Sequence, residues 1–140
     1  MSTHSVSAAR PAAAPRDGLL RGALKADAVA SIGSGLAYVV ANGPVSDLLG
    51  LPPAFLVVVG AFSVVYGSYA WYLGTRSRVS PSAGRLIAAG NWGWMLASIA
   101  MAVIGWHDPT TTGTVWIVLQ GLLVGAFADA QFLGARRITR

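Results

Sequence analysis

The sequence predicts an all-α fold: a membrane-spanning, antiparallel four-helix bundle with N- and C-termini cytoplasmic. Three observations lead there. Of 140 residues, 54% are hydrophobic and only 11% charged, where a soluble domain carries roughly 25% charged residues. That is too little charge to cover a water-facing surface. The charges are also spaced: between them lie four uncharged stretches, Ala28–Ser46, Leu48–Thr75, Leu86–His107 and Pro109–Ala128, of 19, 28, 22 and 20 residues. Each approaches or exceeds the ~20 residues a helix needs to cross ~30 Å of hydrocarbon. Finally, the basic residues occupy three places only. Arg10, Arg16, Arg21 and Lys25 precede or open the first span, Arg76, Arg78 and Arg85 lie between the second and third, and Arg136, Arg137 and Arg140 follow the fourth. The other two connections, 42–52 and 107–113, hold no Lys or Arg. The positive-inside rule then places both termini in the cytoplasm of a multi-pass protein of the cell (inner) membrane.

The elements follow in order. Residues 1–18, with Pro11 and Pro15 and no apolar periodicity, read as a disordered cytoplasmic tail. The first span runs over 19–41 and stops at Asn42-Gly43-Pro44. A short helical turn at Val45–Leu51 lies at the outer interface. Pro52-Pro53 opens the second span, 53–74, because Pro is tolerated in a first helical turn. Ser80 or Ser82 caps the third span, 84–106. The fourth covers 114–133, with Gly134 as its stop before a basic cytoplasmic tail at 136–140. The transmembrane domain is thus 19–135, and its short connections make consecutive helices antiparallel.

Several classes are excluded or disfavoured. A soluble helical protein would give each helix a polar face, and Phe55–Val59 with Phe62, Val64 and Val65 leaves none. A cleaved signal peptide fits the short apolar run 28–41, but no small-x-small site follows it. The formal net charge of +5 reflects topology and a rim meeting membrane lipids, so no nucleic-acid partner is implied. With no cysteine, thiol redox and Cys-based metal chemistry are absent. His4 and His107, both outside the spans, cannot hold a haem within the bundle, and His107 beside Asp108 lacks further metal ligands. No cofactor and no metal is expected.

The glycines form seams of small residues. Gly60, Gly67 and Gly74 recur every seven residues, with Ser63 and Ala70 on the same face, and Gly121 pairs with Gly125. Helices in lipid approach one another through such seams, within one bundle or across a homo-oligomer. Trp71, Tyr72, Trp92, Trp94, Trp106 and Trp116 mostly fall near span ends, as interfacial anchors do; Trp92 or Trp94 could instead stack on a ligand.

Ionisable groups inside a span cost on the order of 2.5–3.5 kcal/mol each on insertion scales and mark functional sites by default. Here they are Lys25, Asp27 and Asp129. By helical rise, Asp27 lies about 12 Å beyond Leu19 and Asp129 about 10 Å before Arg136, and Asn91, Tyr66 and Tyr69 fall in the same cytoplasmic-side layer. On the first span Asp27, Ser31, Ser34 and Tyr38 make one polar stripe that should face inward, while Arg21 and Lys25 lie about 200° round the helix and snorkel. On the fourth span Asp129 lies on one face, with Gly121 and Gly125, and Gln120 and Gln131 on another. Asp129 is the costlier group to leave in lipid, so the expectation is that it turns inward. Interhelical hydrogen bonds in membranes average only about 0.6 kcal/mol, less than the insertion cost of the two acids, which favours a functional cavity over mere helix pairing.

The segments LKADAVASIGSGLAYVVANGPVSDLLGLP and TVWIVLQGLLVGAFADAQFLGARR carry a K-x-D at Lys25–Asp27 and a D-x-Q at Asp129–Gln131, with Asn91 early in the third span. In these features the chain resembles small four-helix integral membrane proteins of high-GC actinobacteria, DoxX-like in layout, over most of residues 19–137. The resemblance implies the fold and topology and brings no activity with it. Three functions remain. The first is binding of a lipophilic small molecule in a cytoplasmic-side polar pocket formed by Asp27, Ser31, Tyr66, Tyr69, Asn91, Trp94 and Asp129. The second is an acid/base enzyme, an isomerase or cyclase of terpenoid or polyketide-like substrates, with Asp27 and Asp129 as its catalytic pair. The third is a small proton-coupled transporter acting as an oligomer.

Overall fold

The computed structural model describes residues 15–140. Five helices follow one another: α1 (Gly18–Val40), α2 (Asn42–Leu49), α3 (Pro53–Thr75), α4 (Pro81–Ile104) and α5 (Thr111–Ile138). There is no strand among the described residues. The four long helices are each long and apolar enough to cross a bilayer. Their outward faces stay apolar: Val58 is 68% exposed, Val103 80% and Val40 81%. In water such a surface would be untenable, whereas in hydrocarbon it is what the solvent requires. The chain is an all-α, multi-pass membrane protein. The proposed tail at 1–18 falls, for residues 1–14, outside the described residues, and α1 already begins at Gly18.

Span ends moved where capping chemistry was stronger than the sequence pattern suggested. Ser80 accepts a hydrogen bond from Ala83 N (3.2 Å) with Pro81 in the first turn, so α4 starts three residues before the expected Gly84. Thr110 caps α5 in the same way through Gly113 N (3.0 Å). At its other end α5 does not stop at Gly134. A Cβ there would sit 2.6 Å from Leu20 N, so this glycine serves close packing of α5 on α1 rather than helix termination. The helix continues through Arg136 and Arg137, whose positive charges complement its C-terminal dipole.

Around the bundle the helices run α3, α1, α5, α4, with antiparallel packing at α1/α3, α1/α5 and α4/α5. The expected seam on α3 faces α1: Gly60 meets Gly35 backbone to backbone, and Gly67 meets Ala28 and Ile32. On α5, Gly121 and Gly125 admit Ser98 and Met95 of α4. The backbones of α3 and α4, although joined by a short turn, stay apart. The bundle is therefore open on one side.

The apolar interior comes in two parts. Near the basic end Leu20, Leu24, Ala28, Ala70, Leu73 and Ile87 pack together. At the opposite end Leu49, Leu51, Leu56 and Ile117 do so, under the short helix α2. That helix is tied to the start of α5 by Thr110 N to Leu49 O (3.0 Å) and Thr110 Oγ1 to Leu48 O (2.7 Å). Its closing glycine, Gly50, has φ +68° and lies against Thr110, where a side chain would be both strained and obstructed. At the basic end Arg21 donates to Gly74 O (2.7 Å) and Arg76 O (2.8 Å), satisfying carbonyls at the end of α3, and pairs with Asp17 (2.6 Å). Arg21 thus acts as a cap for its neighbour, while Lys25 lies over the Trp71 ring (5.6 Å).

Candidate functional site

Between the two apolar parts, four helices each contribute a polar side chain to one point. Asp27 of α1 is 1% exposed. Its Oδ2 accepts from Tyr66 OH of α3 (2.6 Å), Asn91 Nδ2 of α4 (2.7 Å) and Gln131 Nε2 of α5 (2.8 Å). Its Oδ1 accepts from Ser31 Oγ, one turn along α1 (3.2 Å). Asn91 also donates to Gln131 Oε1 (3.0 Å), and Tyr66 OH lies 2.8 Å from Asn91 Oδ1. Every partner of the carboxylate is neutral. The only ion pair among the described residues is Arg21 with Asp17.

From this cluster a cavity of about 630 Å³ runs along the bundle axis towards Leu51, Phe55 and Trp106 at the far end. Its walls are chiefly apolar, and the α1 stripe Asp27, Ser31, Ser34 and Tyr38 forms one side, as its spacing predicted. Two further polar links cross it: Trp94 Nε1 donates to Gln120 Oε1 (2.9 Å) while Gln120 Nε2 donates to Ser98 Oγ (2.8 Å), and Trp116 donates to the Tyr38 hydroxyl. Phe62 of α3 stacks on Trp94 of α4 (centroids 5.9 Å, 11° between planes) and also on Tyr66 (6.2 Å). This aromatic stack spans the gap between α3 and α4, and exposed Phe62, Ala97 and Ile104 rim the opening there.

Of the residues singled out from the sequence, Asp27, Ser31, Tyr66 and Asn91 meet directly, and Trp94 lines the cavity. Two do not join them. Tyr69, three residues from Tyr66, is turned outward and 50% exposed. Asp129 is exposed and accepts from Trp92 Nε1 at 3.0 Å, so the expectation that it turns inward is corrected. Gln131, fully buried, takes the inner position. The reason lies in how α5 rests on its neighbours. Gly121 and Gly125 mark the strip touching α4 and Gly134 the strip touching α1, with Ala128 and Gln131 buried between them, leaving Asp129 beyond the contact on the outer side. An amide there also adds both a donor and an acceptor beside Asp27, where a second carboxylate would bring like-charge repulsion. Asp27 and Asp129 therefore form no pair.

Gln131 belongs to the same D-x-Q that carried the family resemblance, and its shared face with Gln120 was the signal for its inward position. Phe62 gave no signal: in sequence it is one apolar residue among many. His107, at φ +71°, stacks on Trp106 with centroids 4.6 Å apart, packed as an aromatic side chain.

Comparison with protein-family models, with curated proteins and with solved structures returns no match to this chain. Fold and site together define a four-span helical membrane protein with a side-opening cavity and a buried carboxylate at one end of it.

Proposed function

We propose that the protein binds a lipophilic small molecule in the cavity between α1, α3, α4 and α5, with the molecule's polar group against the Asp27 cluster. The observation that carries this is the shape and chemistry of the cavity. At about 630 Å³ it matches the few hundred to a thousand Å³ typical of small-molecule sites, and it is apolar along its length with polar groups converging at one end. Hydrogen bonds among Asp27, Tyr66, Asn91 and Gln131 also tie the helices together, but helix pairing alone calls for no cavity beside them. The reading includes orientation: the basic end and both termini face the cytoplasm of the cell membrane, so the polar end of the site lies in the cytoplasmic half and its apolar body reaches towards the outer half. Membership of the four-helix actinobacterial group belongs to the same proposal and rests on Lys25, Asp27, Asn91 and Gln131.

The test is to purify the protein from its native membrane, extract it with organic solvent and compare the extract with that of Val59→Trp, which places an indole in the cavity wall. A non-phospholipid compound present in the wild-type extract and depleted in the variant supports the proposal. Bulk phospholipid alone in both sinks it.

A further inference from the structure

We infer that the polar group of the ligand is a cation, a protonated amine carried on an apolar or aromatic body, and that Asp27 is its counter-charge; this rests on the reading of the cavity as a lipophilic binding site. Asp27 carries the one carboxyl group that lines the cavity, and among the described residues no basic side chain meets it. Tyr66 from α3, Asn91 from α4, Gln131 from α5 and Ser31 from α1 are all uncharged. The two basic residues of its own helix are engaged elsewhere, Arg21 with the Gly74 and Arg76 carbonyls and Lys25 with Trp71. A charge held away from water is costly unless an opposite charge meets it.

The hydrogen bonds are also unevenly shared. Oδ2 takes three donors, whereas Oδ1 takes only the Ser31 hydroxyl, at 3.2 Å. A carboxylate oxygen has about two acceptor positions, so Oδ1 retains capacity for an N–H donor. Ser31 itself lines the cavity, and its hydroxyl is the cover that such a donor displaces. Tyr66 and Trp94 line the same cavity, and aromatic rings attract cations. Among the described residues no Lys or Arg lines the cavity. An anionic head group would meet Asp27 unopposed, and a neutral hydroxyl would fill the acceptor position without neutralising the charge.

Two probes of equal chain length separate these cases, dodecylamine and dodecanol, added to the full-length protein in phosphatidylcholine nanodiscs, whose zwitterionic lipid does not itself concentrate the cation. Binding is read from tryptophan emission, since Trp94 and Trp116 line the cavity. The expected result is saturable binding of the amine, about tenfold tighter than the alcohol in the wild type. In Asp27→Asn the amine weakens about 30-fold and its preference over the alcohol is lost, whereas Asp27→Glu retains the preference. Equal binding of amine and alcohol to the wild type overturns the cation assignment, a comparison that needs no variant to fold, and it leaves the lipophilic site standing. If neither probe saturates and Val59→Trp changes nothing, the lipophilic site falls and the cation assignment with it.

Discussion

Gln131 Nε2 donates to Asp27 Oδ2 across 2.8 Å, joining residues 104 apart in sequence, one on the first long helix and one on the last. Both side chains are essentially sealed from the surroundings, at 0% and 1% exposure. The amide has two roles at once, since its Oε1 also accepts from Asn91. A buried carboxylate and two amides thereby satisfy each other, and no buried side-chain polar atom among the described residues lacks a partner.

Replacing that amide leaves both Asp27 and Asn91 short of a partner. Gln131→Leu is expected to cost about 1–2 kcal/mol, towards the upper end of membrane hydrogen bonds because two buried polar groups lose a partner at once. Asp129→Leu, on the outer surface, is expected to be neutral or stabilising in a bilayer. Unfolding by increasing SDS fraction in mixed micelles measures both, and a larger loss for Asp129→Leu would contradict its outward position.

The glycines divide by what a methyl group would meet. Gly134→Ala brings a Cβ to 2.6 Å from Leu20 N and is expected to destabilise by about 1–3 kcal/mol. Gly90 and Gly93 of α4 have nothing within 4 Å of where a Cβ would sit, so Ala at either should be neutral or add about 0.5–1 kcal/mol through helix propensity. The same unfolding assay ranks them, and equal effects at all three positions would refute the tight α1/α5 contact.

The stack of Phe62 on Trp94 covers the gap between α3 and α4. Aromatic pairs contribute about 0.5–1.5 kcal/mol beyond buried area, so Phe62→Ala should speed release of a bound lipophilic probe about 3- to 10-fold. Stopped-flow displacement reads this rate. An unchanged rate means that release takes another route.

Because the chain has no cysteine, a single introduced thiol reports its own location. Ser77→Cys lies in the basic turn between α3 and α4, and Thr112→Cys at the start of α5 on the opposite end. In intact cells a membrane-impermeant maleimide is expected to label Thr112→Cys and to spare Ser77→Cys until the membrane is opened. The reverse pattern would invert the proposed orientation.

The spans were legible in the sequence because a hydrocarbon slab imposes a length on uncharged runs that no soluble core does. Depth was legible too: constant helical rise put Asp27, Tyr66 and Asn91 at one level, and they meet there. Rotation was less so. On α5 the expected face depended on treating Gly121, Gly125 and Asp129 as one side, whereas the two glycines are buried against α4 and Asp129 lies beyond that contact, exposed. Gly134 was ambiguous for a related reason, since glycine serves both helix ends and close approach. The separation of α3 from α4 had no sequence signal. Their short connection suggested packed neighbours, and the aromatic side chains of Phe62 and Trp94 occupy the space instead.

The opening between α3 and α4 faces hydrocarbon rather than water, and this sets the units in which occupancy is counted. An occupant arriving through it is already dissolved in the bilayer, so its effective concentration is a mole fraction in lipid. Adding lipid at fixed protein dilutes it, and a compound's apparent potency in the aqueous phase becomes the product of its partitioning and its fit. Two molecules with the same affinity for the Asp27 end would then differ in potency by their partition coefficients alone.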